Sequence, residues 1–160
     1  MKSTKDWRPL SLVVWQHLID QRNNERLFFR DVAREVGISP RHLNYPLAYI
    51  MEFCERHALP PLTGIILNKH EYARQNRCRP SAHFRLKHQG RFIFPSDAQF
   101  YALYQQQVKA VRAMDWQRID YQPAPLTTFA LKQYLMEEKQ QRDRDGKETI
   151  SLALLARRRR

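Results

Sequence analysis

Apolar side chains recur at the three- and four-residue spacing of helices through the first sixty positions. A first helix is predicted from Pro9 to about Gln21. Its apolar stripe consists of Leu12, Trp15, Leu18 and Ile19. Second and third helices are predicted over 29–36 and 40–57. We expect Pro46 to bend the third helix or to restart it, because proline removes a backbone hydrogen bond.

The stretch 29–43, FRDVAREVGISPRHL, joins the second and third predicted helices. Ala33 is small at a place where two helices approach closely, and Gly37 suits the left-handed backbone of a tight turn. Ser39 can cap the next helix, and Pro40 fits a first helical position, where no backbone N–H is needed. This order of residues predicts a helix-turn-helix.

The pattern after the third helix is that of strands. Residues 63–68, TGIILN, form a β-rich run of strand length. Residues 83–87 and 91–94 flank Gly90, an arrangement that predicts a hairpin with glycine in its turn. Three helices followed by a strand and a hairpin predict a winged helix.

The last third of the sequence is predicted to be a helical extension. Residues 96–99, SDAQ, form a capping-box pattern before a helix that extends to about Met114. A further helix is predicted over 127–141. The expected fold is therefore mainly α with a small β wing (α+β). It comprises a winged helix-turn-helix domain in residues 1–94 and a C-terminal helical extension with a basic tail in residues 95–160.

The charge of the chain is strongly positive, with a formal net charge of +12 at pH 7. The surplus is +2 in residues 1–60, +5 in 61–100 and +5 in 101–160, and the chain ends in four arginines, Arg157–Arg160. Such a balance favours a polyanionic partner, with nucleic acid ahead of a membrane surface.

The two cysteines, Cys54 and Cys78, do not form a disulfide framework, and Cys54 is predicted to be a small buried apolar residue. The first twenty residues lack the apolar core of a signal peptide. No run approaches the ~18 apolar residues that a membrane span needs. We therefore expect a cytoplasmic protein that does not enter a membrane.

The predicted third helix is the element expected to contact bases, since the second helix of a helix-turn-helix enters the major groove with its N-terminal end. Arginine can pair with guanine there and asparagine with adenine. The candidate base-contacting residues are Arg41, His42, Asn44 and Tyr45. Two arginines of the second helix, Arg30 and Arg34, are expected at phosphates.

A second set of predicted DNA-binding residues lies in the basic segment 69–91, which would neutralise phosphates and make affinity fall steeply with salt. Its members are Lys69, Arg74, Arg77, Arg79, Arg85, Lys87 and Arg91.

Catalysis and metal binding have weaker support in the sequence. His70, His83 and His88 with Lys69 could cleave RNA by general acid–base chemistry without a metal. The same histidines with Cys78 have spacings that match no familiar zinc finger. The chain contains neither a nucleotide-binding glycine loop nor a carboxylate cluster suited to a nuclease. No catalytic residue, metal site or cofactor is therefore predicted.

Residues 14–69 resemble the winged-helix domain of O6-alkylguanine-DNA alkyltransferases and alkyltransferase-like proteins. The residues that carry the resemblance are Val14, Trp15, Leu18, Phe29, Ala33, Gly37 and Pro40. The resemblance implies a winged-helix scaffold that binds DNA.

Two departures from that family separate this sequence from its repair chemistry. The family's strand ends in Pro-Cys-His-Arg, whereas this sequence has Leu67, Asn68 and Lys69 and so lacks the acceptor cysteine. The family's recognition helix carries an arginine that fills the space of a flipped base, whereas the nearest match in this sequence is an asparagine, Asn44. The resemblance therefore implies DNA binding without alkyl transfer.

The expected function is that of a non-catalytic winged-helix protein that binds duplex DNA, as a regulator or in a phage or mobile-element setting. Two alternatives stay open. One is a protein-interaction module that acts as an inhibitor or adaptor. The other is an RNA-binding protein or metal-independent ribonuclease that uses the basic, histidine-rich segment 69–91.

Overall fold

The computed structural model describes residues 6–67 and 97–131, and this part of the chain is mainly helical. Its four α-helices are α1 (Arg8–Asp20), α2 (Phe29–Glu35), α3 (Asn44–Arg56) and α4 (Asp97–Ala113). Two short 3-10 helices span Leu62–Ile65 and Trp116–Arg118, and the chain becomes helical again at residues 128–131. The predicted hairpin and residues 132–141 of the predicted last helix lie outside the described residues.

The predictions of α1, α2 and α4 are confirmed, with boundaries that differ by one residue. The inward face of α1 differs from the predicted stripe at Leu12, which is exposed, and at Ser11 and Val14, which are buried. Helix α1 buries Trp15, Leu18 and Ile19 as predicted, but Leu12 is 46% exposed. The buried side of α1 also includes Ser11 and therefore turns Leu12 outward.

Helix α3 starts four residues later than predicted. The backbone N–H of His42 donates to the carbonyl of Ser39 at 2.9 Å, and that of Tyr45 donates to the carbonyl of His42 at 3.1 Å. These tight turns precede the α-helix, which begins at Asn44. Pro46 then lies in the first turn, where an N–H would have no partner within the helix, so α3 continues without interruption.

The strand predicted over residues 63–68 is wrong as far as the structure describes it, because residues 62–65 form a 3-10 helix. Leu67 pairs with Phe28 in an isolated parallel bridge, and the described residues contain no other strand pairing. Residues 62–67 are all buried. An apolar run that is buried on all sides has the same composition in either conformation, so its pattern could not distinguish them.

Two helices end in the same hydrogen-bonded motif, with the next residue in a left-handed conformation. After α2, Gly37 has φ +74°, as its sequence context predicts, and Ile38 N–H donates to Ala33 C=O at 2.9 Å. After α3, Ala58 takes this position with φ +52°, and Leu59 N–H donates to Cys54 C=O at 2.8 Å.

Helix α3 lies at the centre of the described fold, packed against α1 and the 62–65 turn. Nine of its thirteen residues are buried. On one side Leu47, Ile50 and Cys54 join the main core, and Cys54 is buried as predicted. On the other side Ala48 and Tyr49 pack into a second, smaller cluster. The helix is therefore enclosed by core contacts on opposite faces.

The residues after α3 contribute to the same core as the helices before it. Tyr104, Val108 and Val111 of α4 are buried there, as their spacing predicts. Trp116 and Tyr121 follow them into that core. The described part of the predicted extension is thus built into the core of α1–α3.

An aromatic cluster connects α1 to the chain beyond α4. The ring of Tyr121 stacks on Trp15 with centroids 4.2 Å apart and planes 5° apart, while Phe53 and Trp116 meet Trp15 edge-on. The Tyr121 hydroxyl donates to Ser11 Oγ at 2.9 Å, and Ser11 Oγ donates to the Arg8 carbonyl at 2.7 Å. Both buried hydroxyl groups are therefore hydrogen-bonded.

The two helix ends predict opposite effects of glycine and alanine on stability. A Cβ at Gly37 would meet nothing within 4 Å, so Gly37→Ala tests backbone conformation alone and is expected to destabilise the fold by about 1 kcal/mol. Ala58→Gly relieves the same strain and is expected to stabilise it by about 0.5–1 kcal/mol. Urea unfolding measures both; changes of the same sign would contradict this account.

Tyr121 predicts a loss of stability at alkaline pH. Burial raises the pKa of this phenol above its ordinary value of 10.0, so the unfolded chain releases the proton first. The stabilisation is fully present below pH 10 and decreases as the pH rises above it. We expect Tyr121→Phe to lower the free energy of unfolding by about 1 kcal/mol at pH 7 and to flatten its fall above pH 10. An unchanged alkaline slope would contradict the assignment.

Candidate nucleic-acid interface

Three exposed arginines lie on α2 and on the link of residues 36–43 that precedes α3. Arg30 and Arg34 are one helical turn apart on α2, and both are exposed. The Arg34 guanidinium lies 3.0 Å from Asp31, which offsets part of its charge. Arg41 is also exposed, in the turns that precede α3. These three positions remain accessible to a polyanion.

Three aromatic rings are grouped where this link meets the start of the chain. Trp7 and Tyr45 stack with centroids 4.8 Å apart and planes 13° apart. The His42 ring lies 6.0 Å from Trp7 and 6.2 Å from Tyr45. His42 is exposed, Tyr45 is half-buried and Trp7 is buried. We name these three residues the aromatic platform.

Asn44 differs from its neighbours because its side chain is buried, with 8% exposure. An amide at this depth cannot present its oxygen and nitrogen together to the edge of a base. The structure therefore does not support the adenine contact predicted for Asn44, which belongs to the first turn of the enclosed helix instead.

The burial of α3 changes the expected reading element. Its nine buried residues leave four that are not buried, Tyr45, Glu52, Glu55 and Arg56, and two of these four are carboxylates. Glu52 Oε1 forms an ion pair with Arg56 Nε at 3.0 Å, and the Tyr45 ring is stacked on Trp7. A helix surface with two carboxylates among these four residues does not suit the major groove, so the accessible part of this region is the link before α3.

The described part of the chain carries no net charge. Residues 6–67 contain seven Lys/Arg and seven Asp/Glu, and residues 97–131 contain three of each. The other eighteen basic and six acidic residues therefore hold the whole surplus of +12. Residues 68–96 alone contain seven basic side chains and one acidic side chain.

The chain enters this basic segment beside α2. Leu67 N–H donates to the Leu27 carbonyl at 2.8 Å, and Phe29 N–H donates to the Leu67 carbonyl at 3.0 Å. Lys69 follows Leu67 by two residues, and Arg30 follows Phe29 by one. The other predicted phosphate-binding residues of segment 69–91 lie outside the described residues, and so do His70, Cys78, His83 and His88.

The charges next to Trp7 are paired with each other. The Arg8 side chain donates through Nε and Nη2 to the two carboxylate oxygens of Asp6, both at 3.0 Å. These hydrogen bonds lower the pKa of Asp6. Asp6 therefore stays ionised beside a cation, and its charge is offset next to the aromatic platform.

Among the residues that the structure describes, no three His, Cys, Asp or Glu side chains are grouped so that they could hold a metal ion. None of the helices in these residues has both the length and the apolar composition to cross a membrane.

Comparisons with protein-family models, with characterised proteins and with solved structures give no significant match. The resemblance of residues 14–69 to alkyltransferases therefore remains a prediction from the sequence.

The sequence interpretation missed one residue of this site, Trp7. Residues 1–8 have mixed, largely polar composition and no apolar periodicity, so their pattern predicts no packed helix or strand there. A single tryptophan directly before a proline-started helix was the available signal. It packs with Ala48, Tyr49 and Leu131 in the smaller cluster.

The different burial of neighbouring positions predicts different effects of alanine. We expect Asn44→Ala to lower the free energy of unfolding by about 1 kcal/mol, because a buried amide is normally hydrogen-bonded. Arg41 is exposed, so the free energy of unfolding of Arg41→Ala is expected to stay within about 0.5 kcal/mol of the wild-type value. Urea unfolding measures both variants. Equal effects would show that the buried position of Asn44 is not significant for stability.

Proposed function

We propose that this protein is a non-catalytic nucleic-acid-binding protein that contacts duplex DNA through its phosphates. The observation that carries the proposal is the distribution of charge: a helical part with no net charge and a surplus of +12 in the remaining residues. Like charges concentrated in a few segments attract a polyanion and release its counterions. Segment 69–91 is the chief phosphate-binding element in this proposal.

The geometry around Leu67 supports a shared surface. The backbone hydrogen bonds of Leu67 place the entry to the basic segment next to the start of α2. Arg30 and Arg34 are exposed on that helix, and Arg41 is exposed on the link that follows it. We propose that a DNA backbone bound by the segment after Leu67 also contacts the exposed side of α2. We further propose the winged helix that the sequence predicts, with a hairpin formed by residues 83–87 and 91–94.

The enclosed α3 supports binding with little dependence on base sequence. Phosphate contacts set position and affinity, whereas base contacts carry specificity. The base-contacting residues predicted on the third helix are reduced to Arg41 and its neighbours on the link, because Asn44 is buried. Such a protein suits an architectural or accessory role on DNA better than recognition of one operator.

A second candidate function is a protein-interaction module. Leu12 and Val13 are 46% and 52% exposed on the outer side of α1. Adjacent exposed apolar residues suit a contact with another protein. If this is the whole function, the full chain will not bind duplex DNA even at low salt.

The proposal predicts a steep dependence of DNA affinity on salt. The logarithm of the association constant should fall linearly with the logarithm of salt concentration, with a slope near −0.9 for each phosphate neutralised. The triple variant Arg74→Ala, Arg77→Ala, Arg79→Ala should reduce the magnitude of the slope by about 3. Fluorescence anisotropy with a labelled duplex of about 20 base pairs measures both slopes.

The matched control removes cations from the electrically neutral part of the chain. Lys109 and Arg118 are exposed there, and Arg118 is paired with Asp115 at 3.0 Å. Lys109→Ala with Arg118→Ala should leave the slope unchanged. Equal losses in the two sets of variants would contradict the assignment to segment 69–91, and absence of duplex binding at low ionic strength would contradict the function itself.

A further inference from the structure

We propose that the aromatic platform, Trp7, His42 and Tyr45, takes an unpaired nucleobase, so that the protein prefers nucleic acid with exposed bases over a fully paired duplex. This inference rests on the proposed nucleic-acid function and adds a ligand class to it. Stacking of a base on aromatic side chains tolerates any sequence because every base has an apolar face. It therefore fits a protein whose reading helix is enclosed.

Two rings of the aromatic platform are anchored by contacts with the protein core. Trp7 is 8% exposed and packs with Ala48, Tyr49 and Leu131. Tyr45 stacks on Trp7 and lies in the first turn of α3, so both ends of the pair are fixed by core elements. A prearranged ring pair loses little conformational freedom when a flat ligand is added.

The outer edge of the platform is accessible. His42 is exposed, and its ring is tilted 47° from Trp7 and 60° from Tyr45. A planar ligand can contact the His42 ring beside the half-buried Tyr45. Single-stranded and loop bases are recognised in this way by aromatic and histidine side chains.

The charges around the platform favour a nucleotide over other flat ligands. Arg41, next to His42 in sequence, is exposed and can meet the phosphate of a stacked nucleotide. Asp6 is the acidic residue next to Trp7 in sequence, and the two hydrogen bonds from Arg8 offset its charge. A base with its phosphate therefore meets aromatic surface and net positive charge together.

The preference for unpaired bases follows from geometry. Inside a duplex both faces of each base are covered by its neighbours, so a side chain can stack on it only after extrusion. Single strands, bulges and frayed ends offer a face at a smaller free-energy cost. The site would then direct a phosphate-binding protein toward opened or single-stranded segments.

The test compares three probes of equal length on the full chain: a single strand, the same strand with abasic central positions, and the paired duplex. Fluorescence anisotropy gives each affinity. His42→Ala should weaken binding of the intact single strand by about fivefold or more, the lower end for loss of a stacked base. The same variant should bind the abasic strand with unchanged affinity, because the phosphates of that strand remain. Tyr45→Leu, which keeps an apolar side chain on Trp7, should act in the same direction.

His57→Ala is the matched control. His57 is exposed and lies 4.3 Å from the Phe53 ring at the opposite end of α3, so it resembles His42 without belonging to the platform. It should leave all three affinities unchanged. Equal effects of His42→Ala on intact and abasic strands, or none on either, would overturn the platform.

The two proposals fail in different ways in this experiment. If wild-type protein binds the abasic strand and the duplex but gains nothing from bases, phosphate binding stands and the platform is wrong. If it binds none of the three probes at low salt, the nucleic-acid function is wrong as well. If none of the three probes binds, the aromatic platform would instead take an aromatic side chain of a protein partner.

Discussion

The stack of Tyr121 on Trp15 is the contact on which the rest of the described structure depends. It joins α1 to the chain after α4, across more than one hundred positions of sequence, and its hydroxyl reaches Ser11 on the same helix. Phe53 of α3 meets both rings edge-on. Aromatic pairs of this kind contribute beyond their buried area, about 0.5–1.5 kcal/mol each. The cluster therefore fixes α1, α3 and the segment after α4 in one core.

Enclosure of α3 is the consequence that matters for function. Helix α3, which follows the predicted helix-turn-helix stretch 29–43, is the central helix of the core and does not stand free at the surface. What remains accessible is α2, the link of residues 36–43 and the edge of the aromatic platform. Because the described residues carry no net charge, the attraction to a polyanion that we propose would come from the other segments of the chain. The whole net charge of +12 lies outside the described residues.

The features predicted well from the sequence are those decided locally. Pro9, Gly37 and the SDAQ pattern mark helix ends through backbone chemistry, and the corresponding boundaries are confirmed within one residue. The start of α3 at Asn44 was missed because Ser39 and Pro40 have the composition of a helix start but form tight turns.

The features that were missed depend on distant contacts. Whether Asn44 is buried depends on what packs around α3, and a buried run such as 62–67 has no periodicity to reveal its conformation. Trp7 joined the site because Leu131, far along the chain, covers the same cluster. The charges can be counted from the sequence, but only the structure shows that residues 6–67 and 97–131, which carry no net charge, share one core.

The most direct test of this account is a map of backbone amide chemical shifts in the full chain as duplex DNA is added. The account predicts changes in residues 28–45 and in segment 69–91, with the amides of 47–54 in the enclosed helix left unchanged. Changes concentrated along α3, or confined to α4 with none in segment 69–91, would contradict the central claim that a neutral helical core carries its nucleic-acid contacts on the segments around it.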